Sequence, residues 1–254
     1  NGGVGDASVR HLAKHCADGL GWRCLVVSHR GVGSPVTSPH LYSAGFTGDL
    51  ALAVAHARRR YPGAALVGVG LSLGGNVMCK FLAERAGSHP LAAAVSVSNP
   101  LDLMAVDEQM AASRFKRWFV NPVFVRAMRR VMAPHAAAFA APVKGRTYDW
   151  GAALAAPTVL DWDRRVTAPM FGHPSVYEYY RDASSARSLH AIDVSVLLLH
   201  AEDDPVIPRR VYEVACEDAL ATDHVAVCLT ACGGHVAHFE GLAAPRPWWL
   251  KPAG

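Results

Sequence analysis

The stretch that most restricts the fold is Gly68-Val69-Gly70-Leu71-Ser72-Leu73-Gly74-Gly75-Asn76, placed directly after the apolar run Ala64-Ala65-Leu66-Val67. Glycines crowded at the exit of a strand serve two chemistries: a loop that cradles phosphate with backbone N–H groups, or a tight turn that holds up a serine as a nucleophile. A dinucleotide fingerprint needs G-x-G-x-x-G, but after Gly68 and Gly70 the third position is Leu73, and Gly74 falls one residue late. The next apolar run, Leu91–Ser98, ends without the Asp or Glu that would hold a ribose, and no G-K-[ST] is present. What remains is G-x-S-x-G, Gly70 to Gly74, between a strand and a helix. In such a turn the serine is strained, and the glycines two before and two after it are expected to remove side chains that would collide with backbone. The strain lifts Oγ clear of the sheet. The following helix adds its N-terminal dipole, and the N–H of Leu73 faces a developing oxyanion.

The rest of the chain supplies a matching scaffold. Strand-length apolar runs, Trp22–Ser28, Ala65–Leu71, Leu91–Ser98, Val194–His200 and His224–Thr230, alternate with helix-patterned stretches at Val9–Ala17, Thr47–Tyr61, Asn76–Ala86 and Pro208–Ala221. Continuous rather than alternating apolar runs predict strands covered on both faces. Strand and helix in repetition predict an α/β fold, a mainly parallel sheet with right-handed crossovers flanked by helices. The alternation stops between Asn99 and Ile192, a proline-punctuated helical or irregular stretch. The expected organisation is a core made of 1–98 and 192–254, with 99–191 inserted as a helical cap. A chain of 254 residues has room for this, burying roughly three-quarters of its unfolded surface.

A serine hydroxyl needs a base, and the base needs a carboxylate that fixes its tautomer and stabilises the imidazolium. On a strand-turn-helix serine of this kind they follow in the order acid, then histidine, each in a loop after a late strand. Val194–His200 runs into Glu202-Asp203-Asp204-Pro205, and His224–Thr230 runs into Gly233-Gly234-His235. Asp204, before Pro205 at the loop turn, is the expected acid. Asp203 is expected to cap the turn or face solvent. His235, after two flexible glycines, is the expected base, and His238 is expected to begin the next helix. A second oxyanion donor is expected from the glycine-rich start Asn1-Gly2-Gly3-Val4-Gly5, at the N–H of Gly3 or Val4. Neither a metal nor another cofactor is required. His29 and Arg30 are read as bracing their loop, Trp248 and Trp249 as packing residues.

Together these residues resemble the YheT-like α/β-hydrolases, the family of embryogenesis-associated proteins, abhydrolase-domain lipid esterases and medium-chain ester synthases. The resemblance is carried by Ser28-His29-Arg30-Gly31-Val32-Gly33-Ser34, Gly45-Phe46-Thr47-Gly48-Asp49-Leu50, Gly70-Leu71-Ser72-Leu73-Gly74-Gly75-Asn76, Ser98-Asn99-Pro100, Tyr179-Tyr180-Arg181-Asp182-Ala183-Ser184-Ser185, Asp203-Asp204-Pro205 and Gly233-Gly234-His235. It runs over nearly the whole chain. It implies an α/β-hydrolase fold, Ser72, Asp204 and His235 as nucleophile, acid and base, and a lipid or other acyl ester as substrate. Three departures accompany it: a shortened oxyanion loop, Ala237 and His238 where glycine and an aromatic are usual, and N-terminal strands of the fold that would precede Asn1. The expected activity is hydrolysis of carboxylic esters of lipids, medium-chain acyl esters or phospholipids, through an acyl-enzyme. Transfer of the acyl group to an alcohol uses the same residues, and a catalytically silent binding protein on the same fold is the alternative of another class.

Charge and cysteine content complete the expectations. From Gln109 to Tyr148 there are eight basic residues and no acidic one, so the net charge of +4 arises wholly in this segment. Large apolar residues interleaved with arginines over 114–132 suggest a cap that touches anionic membrane; an ordinary cap helix with a solvated basic face is the plainer reading. No nucleic-acid motif accompanies the charge. Six cysteines without a C-x-x-C pair predict buried, reduced thiols, hence a reducing compartment such as cytoplasm or plastid stroma, with membrane association through the basic segment.

Overall fold

The computed structural model describes residues 3–114, 116–139, 149–219 and 221–236, and the backbone of 239–240 and 246–247. The expectations for Asn1, Gly2, Phe115, Lys144, Arg146, Ala237, His238, Trp248 and Trp249 therefore lie outside the described residues.

Four strands form a parallel sheet in sequential order: β1 (Leu66–Leu71), β2 (Leu91–Val97), β3 (Ser195–Ala201) and β4 (Val225–Thr230). The register sets Leu71 beside Val97, Val97 beside Leu199 and Ala201 beside Thr230, so the carboxyl ends of the strands share one edge. Backbone bonds carry the ladder one residue further, from Ser72 N–H to Val97 O (2.7 Å), Ser98 N–H to Leu199 O (2.8 Å) and Glu202 N–H to Thr230 O (2.9 Å). Loops that leave a parallel sheet at that edge converge on a common crevice. Helix α1 (Ala7–Leu20) is capped by Asp6, whose carboxylate accepts from the N–H groups of Ser8 and Val9. Helix α2 (Gly48–Arg60) carries Asp49 in its first turn and Arg58, Arg59 and Arg60 in its last, complementing the dipole. Helix α3 (Leu73–Glu84) leaves the glycine turn and buries Met78, Cys79, Phe81 and Leu82 against β1 and β2. On that side the main core also takes in Leu101, Leu189, Leu198 and Val211.

Between β2 and β3 the described residues hold helices and turns, among them α4 (Leu103–Ala112), a π-helical turn (Lys116–Val120) and α5 (Asn121–Met132). This segment gathers a second apolar cluster, Met132, Phe139, Trp162, Val166 and Met170, which closes over Leu41 of the preceding part. Its own residues thus supply nearly all of that cluster.

Two expectations about the sheet are corrected. Trp22–Ser28 forms no strand. A strand exists only where a neighbour completes its hydrogen bonds, and no described segment pairs with this run, so Trp22, Leu25 and Val27 stay exposed. Nor, among the described residues, are both faces covered: Val67, Val69 and Leu197 are exposed on β1 and β3 next to buried residues, and on β4 Cys228 and Leu229 are both exposed. The cysteines follow suit. Cys79, in α3, is buried, but no described layer covers Cys24 in its unpaired run or Cys228 on β4, and both are exposed, as is Cys232 in the loop after β4.

Candidate active site

Ser72 sits at φ 51° and ψ −120°, a conformation that is uncommon for a residue bearing a Cβ and marks a strained turn. The strain follows from how tightly β1 turns into α3. A Cβ on Gly70 would stand 2.4 Å from the carbonyl oxygen of Gly74 and 2.6 Å from the Gly75 Cα, so only glycine lets strand and helix approach this closely. The partner expected two residues after the serine is corrected: a Cβ on Gly74 would meet nothing within 4 Å, whereas one on Gly75 would fall 2.5 Å from Ser96 Oγ on β2. Gly75, facing the sheet, is the second position that close packing reserves for glycine.

The turn aims the Ser72 hydroxyl at His235, with Oγ donating to Nε2 at 2.8 Å. His235 Nδ1–H in turn donates to Asp204 Oδ2 at 3.0 Å; the tautomer is assigned from this network. The other carboxylate oxygen of Asp204 accepts from Val206 N–H (2.7 Å) and Ile207 N–H (3.1 Å). Burial alone would raise the Asp204 pKa, but the hydrogen bond and charge of His235 and the two backbone donors outweigh it, holding the carboxyl below its ordinary range. Asp204 therefore stays ionised where it can orient the imidazole. Residues from the ends of β1, β3 and β4, with Ser72 more than a hundred positions before the other two, are thus brought into one hydrogen-bonded line.

Asp203 is exposed, as one expectation had it, and reaches across to the histidine loop. Its Oδ1 accepts from the N–H groups of both Gly233 (2.9 Å) and Gly234 (2.7 Å), tying the histidine loop to the acid loop. The loop is held again after His235, where Val236, at φ 62°, donates its N–H to Ser98 Oγ at 3.2 Å. Positive φ on a β-branched residue is a strained arrangement that the surrounding contacts must maintain.

Leu73 is the first residue of α3, so its N–H has no intrahelical acceptor and is placed to receive negative charge. The other expected donors are not brought to the same wall. The cavity that opens at Ser72, Leu73 and His235 is not lined by Gly3 or Val4, and Val4 donates its N–H to Ser28 Oγ at 3.3 Å. His29 and Arg30 brace the neighbouring loop: Arg30 forks onto both oxygens of Asp49 at 2.6 Å each, and His29 stacks on Tyr42 with ring centroids 4.7 Å apart.

The cavity has a volume of about 200 Å³ and mostly apolar walls, with Met110, Phe124, Met128, Met132 and Trp162 among them. One polar wall residue had no signal in the sequence beyond an unremarkable Asp-x-x-x-Thr. Asp163 is buried, accepts from Thr167 Oγ1 (2.6 Å) and Tyr180 OH (3.0 Å), and burial pushes its carboxyl up to about 6 against the pull of those two bonds. His200, at the end of β3, is fully buried with both ring nitrogens unpaired. Burial holds its pKa down at about 4, with Asp204 acting to raise it and His235 to lower it, so the ring is neutral at neutral pH.

Known proteins resemble this chain in sequence and fold. It is 34% identical over 250 residues to the embryogenesis-associated protein EMB8 of Picea glauca, covering 97% of this chain and 54% of that protein. It is 32% identical to phospholipase ABHD3 of Mus musculus, covering 90% and 54%, and 27% identical to a monoacylglycerol lipase of Saccharomyces cerevisiae, covering 99% and 55%. The chain thus spans about half the length of the curated relatives it matches. Among solved structures, the esterase Pf2001 of Pyrococcus furiosus aligns with a TM-score of 0.52 at 14% identity, over 90% of this chain and 68% of that one, a likeness of fold. The alpha/beta hydrolase fold family matches residues 1–242. With a nucleophile-type turn between β1 and α3, a parallel sheet and a family match over nearly its whole length, the chain belongs to the α/β-hydrolase fold family.

Proposed function

We propose that the protein is a serine hydrolase of carboxylic esters of lipids. The observation that carries the reading is the line Ser72–His235–Asp204, at 2.8 and 3.0 Å, opening on an apolar cavity. Ser72 Oγ attacks the ester carbonyl while His235 Nε2 takes its proton, and the carbonyl π electrons move to the oxygen, which the Leu73 N–H stabilises. Collapse of the tetrahedral species expels the alkoxide, which leaves as the alcohol with the proton from His235, and the acyl group remains on Ser72. Water then attacks the acyl-enzyme with His235 again as base, releasing the acid and restoring the hydroxyl. Asp204 keeps Nδ1 protonated and offsets the charge of the imidazolium. A second oxyanion donor at Gly3 or Val4 belongs to the same proposal, and for Val4 it requires release of the bond to Ser28 Oγ.

The apolar walls fit an acyl chain, and the relatives named phospholipase and monoacylglycerol lipase support a lipid ester and water as the acceptor over an alcohol. A silent binding protein would have no need of a strained serine aligned on a histidine and a carboxylate. No cofactor enters the scheme, and residues 99–191 serve as the cap over the cavity. An anionic membrane reached through residues 114–132 is the place where such a substrate is met; nucleic acid has no part in the reading. Labelling with a fluorophosphonate, with Ser72→Ala as control, tests it directly. Equal labelling of both chains, or of neither, removes the esterase reading; a chain-length series of p-nitrophenyl and glycerophospholipid esters then ranks substrates.

A further inference from the structure

Helix α5 has two faces with different tasks. Phe124, Met128 and Met132, spaced by four residues, line the cavity that contains Ser72, and Asn121 and Val125 are buried beside them. The opposite face, continued from the preceding π-helical turn, shows Trp118, Phe119, Pro122 and Val123 and then Arg126 and Arg130. Trp118, Phe119 and Val123 are 69%, 64% and 65% exposed, so that a patch of large apolar side chains faces water here. Around them Arg114, Arg117, Arg126 and Arg130 are all exposed, and no described carboxylate pairs with any of the four. Arg129 and Lys116 are turned further in, Arg129 donating to the carbonyl of Ala156 at 2.6 Å.

Resting on the esterase reading for its purpose, we propose that this outer face of the π-helical turn and α5 docks flat on an anionic phospholipid bilayer, with Trp118, Phe119 and Val123 entering the interface and Arg126 and Arg130 meeting phosphates. The composition of the face selects this occupant. A protein partner would be met by apolar side chains with charges of both signs, whereas here every exposed charge from 114 to 130 is positive and four apolar side chains sit among them. That pairing, aromatic anchors with unpaired arginines on one side of a helix, matches a leaflet's acyl boundary and its anionic head groups. Because the other side of α5 walls the cavity, docking would hold that wall within about 10 Å, one helix diameter, of the leaflet. The enzyme would then meet its ester without the substrate crossing water.

The test uses the 254-residue chain as Ser72→Ala, so that binding is read without turnover and a failed esterase assay leaves it intact. The chain is sedimented with vesicles of phosphatidylcholine alone and of phosphatidylcholine with phosphatidylserine, at low and high salt. Binding to the anionic vesicles, weakened by salt, is expected. Arg126→Gln with Arg130→Gln should lower partitioning by roughly 30-fold, taking each cation near an anionic leaflet at its usual strength. Trp118→Ala with Phe119→Ala should lower it by a similar order, while Arg59→Glu on α2 should leave it unchanged. Circular dichroism of each variant checks its fold. Equal binding by the double arginine variant, or equal binding to neutral vesicles, overturns the proposal. So does a lipid-free dimer that Trp118→Ala dissolves, which would assign the face to a second copy of the chain.

Discussion

Three glycine-to-alanine changes around Ser72 discriminate sharply, because the room beside each differs. At Gly74 an added Cβ meets nothing within 4 Å, and the residue lies in the first turn of α3. Alanine there should gain about 0.5 kcal/mol from the smaller entropy lost on ordering the backbone. At Gly75 the Cβ would stand 2.5 Å from Ser96 Oγ and 3.3 Å from Asn99 Cβ, and both residues are fully buried. Overpacking of this kind costs about 1–3 kcal/mol. At Gly70 the obstacle is main chain, Gly74 O at 2.4 Å, so no rotamer relieves it and the turn itself must open. A displacement of roughly 1 Å in a reacting atom can cost about a hundredfold in rate. In a domain of this size 1 kcal/mol moves Tm by about 2–4 °C. Thermal unfolding should therefore show Gly74→Ala about 1–2 °C above the parent and Gly75→Ala about 2–12 °C below it. Fluorophosphonate labelling should persist in Gly74→Ala and fall about a hundredfold in Gly70→Ala. A Gly74→Ala protein as unstable as Gly75→Ala, or a Gly70→Ala protein that labels at the parental rate, would refute the packing argument.

Other changes probe the acid and histidine loops. Asp204→Asn should cut kcat on a soluble ester by on the order of 10⁴-fold with little change in KM, because the amide no longer enforces the Nδ1–H tautomer; an unchanged kcat would exclude Asp204 as the orienting acid. Asp203→Ala removes the acceptor of the Gly233 and Gly234 N–H groups, but at an exposed site where water replaces it in part, so kcat/KM should drop only about tenfold with Tm nearly constant. His200 is depressed to about 4 from 6.5 by burial, so its contribution to stability is present above pH 6.5 and lost as pH falls through 4. That loss is about 3 kcal/mol. His200→Leu, which sacrifices no hydrogen bond, should flatten urea midpoints between pH 6.5 and 4; an unaltered pH dependence would show that another group governs acid unfolding.

What the sequence determined by itself was whatever depends on a residue and its chain neighbours. The alternation of apolar runs and helix-patterned stretches specifies parallel strands, since each crossover helix needs a sheet face to cover. A serine between a strand and a helix, with a glycine two residues before it, specifies a tight turn. Loops after β3 and β4 that carry acid and then histidine were legible as well, because strand ends at one edge of a parallel sheet must converge. Tertiary structure alone decided everything that depends on which atoms lie across a gap. Gly74 and Gly75 are indistinguishable in sequence, and only the position of Ser96 on β2 makes the second one obligatory. Asp203 and Asp204 stand side by side, yet one reaches the backbone of the histidine loop and the other the histidine ring. Trp22–Ser28 has the apolar content of a strand and no ladder, because hydrogen-bonded pairing is a property of two segments and hydrophobicity is a property of one. In the same way the carboxyl of Asp163 enters the cavity wall only because helices from distant stretches close around it, and burial, unlike composition, exists only once they have.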